Sequence, residues 1–434
     1  MQDTEFYEAL LELKAPWRVT KVNLDSDSGR VDVWIEDRSG VKWICSKCGK
    51  KASVYDHSEE RVWRHLNTCQ FGTYIHARLP RIKCSEHGVR QVSAPWAEPG
   101  SRFTLLYENW VIDTLKECDV TGANRLTGTS WYEAWNIMEK AVARGLRRKK
   151  SLVPDYLGID EKSFAKRHRY ETLVCDLIKG TVECVLEDRG QDSLEGYYGQ
   201  FSIEELAGIK AIAMDMWDPY IAATKQLVPD ADKKIVFDRF HVIGQVTSAL
   251  DQVRRQEHKM LMAKGEQCLK GTKHLWLMNE EKIPDWRKAE FDEIRKMKLK
   301  TGRAWAIKES LRHFWDYTYP KNAEKYFKRW YFWSTHSRLK PMIKAAKTLK
   351  RYLPNILSYF KHRITNSVTE GLNSKIQTVK QMACGFRNRD HYRKAILFHC
   401  GGLDLYAHGS SITGSSQKTT IFGMAHAKLS RTNY

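Results

Sequence analysis

The stretch Leu157-Gly-Ile-Asp-Glu-Lys-Ser-Phe164 (LGIDEKSF) carries an aspartate inside a short apolar run, which predicts a buried strand. Side chains alternate along a strand, so Asp160 shares its face with Gly158 and lies opposite Ile159. Ala211-Ile-Ala-Met-Asp-Met-Trp217 (AIAMDMW) repeats the pattern: Asp215 shares a face with Ala211 and Ala213, opposite Ile212 and Met214. In both stretches the small neighbours are expected to leave room for a metal ion and a substrate, while the other face enters the core. From Thr365–Gln377 (TNSVTEGLNSKIQ) onward the period becomes helical, with Val368, Leu372, Ile376 and, just beyond, Val379 as one apolar stripe. Glu370 lies about 200° round the helix from Val368 and faces away from the core with Asn373 and Gln377. Two strand aspartates and one helix glutamate can hold two divalent cations against a phosphodiester. Singly, each has an ordinary reading: strand-end turn residues for the aspartates, a Ser367-x-x-Glu370 capping box for the glutamate.

Around these carboxylates the chain predicts a multidomain α+β protein. Strands are expected at 156–164, 171–177, 181–187, 211–215 and 234–238, with helices between the later ones, which gives a mixed sheet covered by helices. Residues 151–244 hold the first part of this core and 351–405 the second, carrying Glu370. Between them, 245–350 reads as an all-helical insertion rich in Lys, Arg and Trp. Its Trp276, Trp305, Trp315, Trp330 and Trp333 suit contact with DNA ends or a second subunit, or simply a core. Asp218, followed by Pro219, reads as a helix N-cap. Asp238 in Val236-Phe-Asp-Arg-Phe-His241 ends a strand, and His241, one turn into the next helix, is placed either to contact a scissile phosphate or to cap or pack.

The N-terminal 1–100 is a separate β module. Alternation at Val31–Ile35 and Tyr74–Leu79 predicts short antiparallel strands. Cys45-x-x-Cys48 and Cys84-x-x-His87, each followed by a glycine, fit a closed tetrahedral Zn²⁺ site, with Cys69, His57, His65 and His76 as substitutes lying between. Residues 101–150 read as three helices resembling a helix-turn-helix, the last capped by Ser130 with Glu133. Trp131, Asn136 and Lys140 would then lie near DNA, followed by a basic linker, Arg144–Lys150, that offers Arg147, Arg148, Lys149 and Lys150 to phosphates. The Ser/Thr/Gly-rich 406–434 is expected to be poorly ordered.

A net charge of +20, from 72 Lys and Arg against 52 Asp and Glu, calls for a polyanionic partner. Nucleic acid fits better than a membrane, since no apolar stretch approaches the roughly 20 residues that span a bilayer. The acidic start MQDTEFYEALLELK lacks the features of an export signal, so the ten cysteines are expected in a reducing cytosol as metal ligands or buried thiols.

In this order, the zinc knuckles, helix-turn-helix, GIDEKSF, AMDMW, VFDRFHV and SVTEGLNSKIQ resemble the DDE transposases of bacterial insertion sequences, most closely the ISL-three family. The resemblance implies an RNase H-like catalytic core, with Asp160, Asp215 and Glu370 as the triad and two Mg²⁺ or Mn²⁺ ions as cofactors. It implies as partners the terminal inverted repeats and target DNA, assembly as a homodimer or higher oligomer, and location on the bacterial nucleoid. The family's second knuckle more commonly ends in Cys where this chain has His87. A zinc-dependent DNA-binding regulator, or a nuclease of the same fold without strand transfer, are the rival readings.

Overall fold

The computed structural model describes residues 2–150, 152–165 and 169–407. They fall into two units, Met1–Gly145 with the segment from Asp404, and Leu146–Leu403. All of the expected tail except Tyr406 and Ala407 lies outside the described residues.

The first unit begins with α1 (Asp3–Leu10). Eight strands follow: β1 (Trp17–Asp25), β2 (Arg30–Asp37), β3 (Lys42–Ile44), β4 (Lys51–His57), β5 (Arg61–Arg64), β6 (Gly72–Ala77), β7 (Pro80–Cys84) and β8 (Gly88–Gln91). They form two four-stranded sheets, ordered β1-β2-β6-β5 and β3-β4-β7-β8. Val31, Val33 and Ile35 alternate into a core with Trp17, Trp63, Ile75 and Trp96. Burying each such side chain contributes about 1.5–3 kcal/mol. The expected antiparallel relation fails at one pair: β2 and β6 run parallel, Val31 beside Thr73 and Val33 beside Ile75. Strands β3 to β5 intervene, which is enough chain for the crossover a parallel pair needs.

Three helices complete this stretch: α2 (Leu105–Glu117), α3 (Val120–Thr127) and α4 (Trp131–Arg148). Asp119 caps α3 through the Gly122 N–H, and Gly128 turns the chain with φ 76°. Ser130 and Glu133 form the expected reciprocal cap, each side chain accepting from the other's backbone N–H (3.3 and 2.9 Å). The basic linker is not a linker, since most of it is the last turns of α4. Arg144 is buried there, bonded to Glu98 and Glu108 and donating to the Leu405 carbonyl. At 3% exposure the arginine is desolvated and must be paired.

The second unit is built on β9 (Tyr156–Ala165), β10 (Arg169–Asp176), β11 (Thr181–Glu187), β12 (Ala211–Met214) and β13 (Ile235–Phe237). Their order is β11-β10-β9-β12-β13. The first three pair antiparallel, whereas β9, β12 and β13 are parallel. Helices α5 (Gln191–Tyr198), α6 (Ile203–Ala207), α7 (Asp218–Leu227) and α8 (Ala231–Lys234) supply the crossovers. Leu157, Ile159, Ile212, Met214, Ile235 and Phe237 enter one core with Tyr198 and Tyr220. Phe164, Leu173, Cys175 and Val182 enter another, on the opposite side of β9.

An all-helical segment follows β13: α9 (Arg239–Met262), α10 (Lys273–Leu277), α11 (Asp285–Lys296), α12 (Lys300–Arg312), α13 (Pro320–Thr335) and α14 (Lys340–Arg351). Of its tryptophans, Trp276, Trp305, Trp315 and Trp330 are buried among Phe291, Phe314 and Phe327 and fill the core. Only Trp333 of the five keeps substantial exposure. After the short α15 (Leu353–Leu357) and α16 (Tyr359–His362) come α17 (Ser367–Met382) and α18 (Arg389–Cys400). They cover the second core through Leu372, Ile376, Tyr392 and Ile396. Glu171 of β10, fully buried, accepts from Arg389 Nε (2.6 Å) and Arg393 Nε (2.9 Å), which fastens α18 to the sheet.

Candidate active site and metal site

The parallel pairing places the carboxylates. Ala213 lies beside Gly158 and Met214 beside Phe237. Continuing both registers sets Asp215 between Asp160, midway along β9, and Asp238, with Asp215 and Asp238 just past the ends of β12 and β13. Open sheets bind their ligands at such strand ends. Asp160 is buried, and its two oxygens accept from the Glu161 N–H (2.7 Å) and from Asn373 Nδ2 (2.6 Å). Burial, aided by the charge of Asp215, pushes its pKa up to about 6, against the pull of those hydrogen bonds and of His241. His241 Nε2 lies 2.8 Å from Asp215 Oδ1. Burial alone would lower the histidine's pKa; the hydrogen bond and charge of Asp215, with Asp160 and Asp238 beyond, raise it above its ordinary value.

Asp238 joins two elements. Its Oδ1 caps α9 at the Phe240 N–H (2.6 Å), and its Oδ2 accepts the Asn366 N–H (2.9 Å) at the start of α17. The helix that carries Glu370 is therefore tied to the strand ends. Ser367 lies inside α17, with Asn366 as its N-cap, so the Ser367–Glu370 capping box is absent.

The expected space beside Gly158 is filled. A Cβ there would meet Thr369 Oγ1 at 2.5 Å and Leu177 Cδ2 at 2.7 Å. The glycine admits the Thr369 side chain of α17 rather than a metal ion, and on the same helix Asn373, seven residues after Asn366, reaches Asp160. Glu370 precedes Asn373 by three residues, which puts the two about 5–6 Å apart on one helix face. Its side chain is exposed and has no hydrogen-bond or ion-pair partner among the described residues. Gln377, one turn beyond Asn373, is exposed as well. Asp218 differs from expectation: Trp217 is the N-cap of α7, and Asp218 is the first helical residue, accepting the Tyr352 hydroxyl. Sequence reasoning missed the Asn373–Asp160 bond and the Asp238–Asn366 tie. The spacing of Asn366, Glu370 and Asn373, at i, i+4 and i+7 on one helix face, was the available signal.

In the first unit the β3–β4 and β7–β8 turns bring Cys45, Cys48, Cys84 and His87 together, their ligand atoms all within 4.8 Å of one another. Cys48 Sγ is 3.6 Å from Cys84 Sγ, and His87 Nδ1 is 3.8 and 3.7 Å from Cys45 and Cys84 Sγ. A tetrahedron with Zn–S bonds of ~2.3 Å has edges of about 3.7 Å, so the donor set fits zinc. Gly49 and Gly88 follow the knuckles at φ 72° and 66°, where a side chain would be strained. N–H groups of Cys48 and Lys47 lower the Cys45 thiol to about 6, which favours the thiolate that zinc binds. The alternative ligands are engaged elsewhere: His57 with Asp37, His65 with Thr104, His76 with Asp32. Cys69 is exposed and outside the cluster.

On α4, Trp131 and Asn136 are exposed and Lys140 is half-buried; Tyr132, 82% exposed, shares a face with Asn136. Arg147, Arg148 and Lys150 are exposed, whereas Lys149 pairs with Glu183 (2.7 Å). No helix among the described residues is long and apolar enough to cross a membrane.

Three segments match known families: 157–396 the one described as Transposase, 42–87 the zinc-finger of transposase IS204/IS1001/IS1096/IS1165, and 92–142 the helix-turn-helix domain of transposase family ISL3. The transposase for insertion sequence element IS1557 of Mycobacterium tuberculosis is 26% identical, over 89% of this chain and 93% of its own length. The transposase for IS1001 of Bordetella parapertussis is 24% identical, over 88% of this chain and 96% of its own.

Proposed function

This chain belongs to transposase family ISL3, and from that premise we propose that it binds the ends of its insertion sequence and cuts and joins DNA there through Asp160, Asp215 and Glu370. The observation that carries this reading is the pair of aspartates side by side where the parallel pairing of β9 with β12 stops, with α17 bonded to one of them through Asn373. The five-stranded order with its antiparallel and parallel halves supports an RNase H-like core.

The donor set fits divalent cations. Asp160 is raised by burial beside a second carboxylate, an arrangement that a bound cation relieves. When bound, two Mg²⁺ or Mn²⁺ ions supply activation of the attacking oxygen and stabilisation of the leaving one. Asp160 and Asp215 would hold them from the sheet, and Glu370 from α17. Asn373 and the Glu161 N–H fix the orientation of Asp160. His241, whose Nε2 lies 2.8 Å from Asp215 Oδ1, would contact the scissile phosphate. The zinc site and the helix-turn-helix belong to the recognition part, with Trp131, Asn136, Lys140, Arg147, Arg148 and Lys150 as its DNA contacts. Terminal repeats and target DNA are the partners, engaged by a homodimer or larger assembly.

A strand-transfer assay with Mg²⁺ on a duplex ending in the repeat found beside the gene tests this. Asp160→Ala, Asp215→Ala and Glu370→Ala should each bind the duplex and fail to cut it. Cleavage by any one of these variants removes that residue from the triad. Binding by the parent protein without cutting identifies a regulator, and cutting without joining a nuclease.

A further inference from the structure

Between Glu324 and Glu370 the sequence contains no Asp or Glu, yet residues 325–369 hold 11 Lys and Arg. The rest of the helical segment differs: Arg287 pairs with Glu290, Lys288 with Asp285 and Arg312 with Glu281, and at the edge of the stretch Lys328 pairs back with Glu324. Within the acid-free stretch, α14 buries Met342, Ala345, Ala346 and Leu349 and exposes Lys340, Lys344 and Lys347 at i, i+4 and i+7. The ridge they form borders a groove of about 440 Å³ against α9, lined by Gln252, Gln256, Lys300 and Arg338. A second depression, also containing Lys340 and Lys344, extends to Lys347.

None of Lys300, Arg338, Lys340, Lys344 and Lys347 has a carboxylate partner among the described residues. The acid in the groove, Glu257, is buried and committed to the start of α12, accepting from the Lys300 and Thr301 N–H groups (2.8 and 2.7 Å). Five cations left uncompensated around a cleft repel one another, and a polyanion relieves that repulsion. We infer that the α9–α14 groove and its lysine ridge hold the phosphate backbone of duplex DNA beside the catalytic centre. This deepens the proposed function and rests on it only for the placement of the cut.

The placement follows from α9, a single helix of 24 residues that starts at the strand ends and carries the groove. At ~1.5 Å per residue, Gln252 to Met260 lie about 17–28 Å from His241 along its axis. With ~3.4 Å per base pair, the contacted phosphates lie roughly five to eight base pairs from the scissile one.

The test uses the full chain and a random duplex without divalent ions, so it does not depend on the triad. The variant Lys340→Gln/Lys344→Gln/Lys347→Gln should lower the slope of log affinity against log salt by about 2–3, since each phosphate contributes ~0.9. It should keep the parent's melting temperature. The ion-paired control Arg287→Gln/Lys288→Gln/Lys328→Gln should leave the slope within about one of the parent. An unchanged slope in the ridge variant overturns the inference, and so does an equal drop in the control. Loss of self-association at unchanged slope also overturns it, in favour of a second copy of the chain as occupant. On a repeat-end duplex, phosphate-ethylation interference away from the window of five to eight base pairs overturns the placement.

Discussion

Replacing Gly158 with alanine tests how the site is held together. The added Cβ would stand 2.5 Å from Thr369 Oγ1 and 2.7 Å from Leu177 Cδ2. Ordinary contact begins near 3.4 Å, so α17 must retreat from β9 by about 1 Å. Thr369 cannot turn aside: it is fully buried, β-branched, and donates to Asn366 Oδ1 (3.2 Å). Overpacking of this kind costs about 1–3 kcal/mol. In a domain this size that corresponds to a fall in melting temperature of roughly 2–12 °C. The functional loss should be larger in proportion, because Glu370 and Asn373 ride on the same helix, and a shift of ~1 Å at reacting groups costs about 100-fold in rate. Two assays check this: thermal unfolding of the full chain, and Mg²⁺-dependent nicking of a repeat-end duplex, each with Gly196→Ala as control. Gly196 is helical with open space around its missing Cβ, so alanine there should stabilise slightly, by about 0.5–1 kcal/mol. Thr369→Ala should restore part of both losses in the Gly158→Ala background, a coupling of about 0.5–3 kcal/mol. Parent-like melting and nicking in Gly158→Ala would refute the claim that this contact sets the position of α17.

Asn373→Leu removes the hydrogen bond that orients Asp160; nicking should fall about 10–100-fold while duplex affinity stays at the parent value, and a matching loss of affinity would make Asn373 a DNA contact instead. One zinc per chain is expected by elemental analysis, lost in Cys45→Ser/Cys84→Ser, with chelation melting the first unit before the second; full occupancy in that variant would contradict the ligand assignment. His65, whose pKa burial lowers to about 4, stays neutral in the folded chain at a pH where the unfolded chain binds a proton. Its burial should therefore destabilise the fold progressively as pH falls from about 6.5 to about 4, by roughly 3 kcal/mol in all. His65→Asn, which keeps a partner for Thr104, should flatten that part of the denaturation profile; identical profiles for parent and variant would exclude the effect.

The features legible in the sequence were those contained in a few consecutive residues. Strand alternation around Asp160 and Asp215, the helical stripe of Leu372 and Ile376, the Ser130–Glu133 cap and the two metal knuckles each have a period or spacing set by local backbone geometry. What only the tertiary structure decided were relations between distant segments. The Asn373–Asp160 bond spans 213 residues and the Asp238–Asn366 bond 128, and no local pattern specifies either. Gly158 reads as open space from its own strand, yet whether α17 occupies that space depends on a helix at the far end of the unit. The same holds for Arg144, which looks like one more linker charge until Glu98 and Glu108 enclose it. It holds too for the tryptophans, whose aromatic surface suits a core and a DNA contact equally. A residue's chemistry and local period fix what it is able to do; burial and partner, which the folded chain alone supplies, fix which of those things it does.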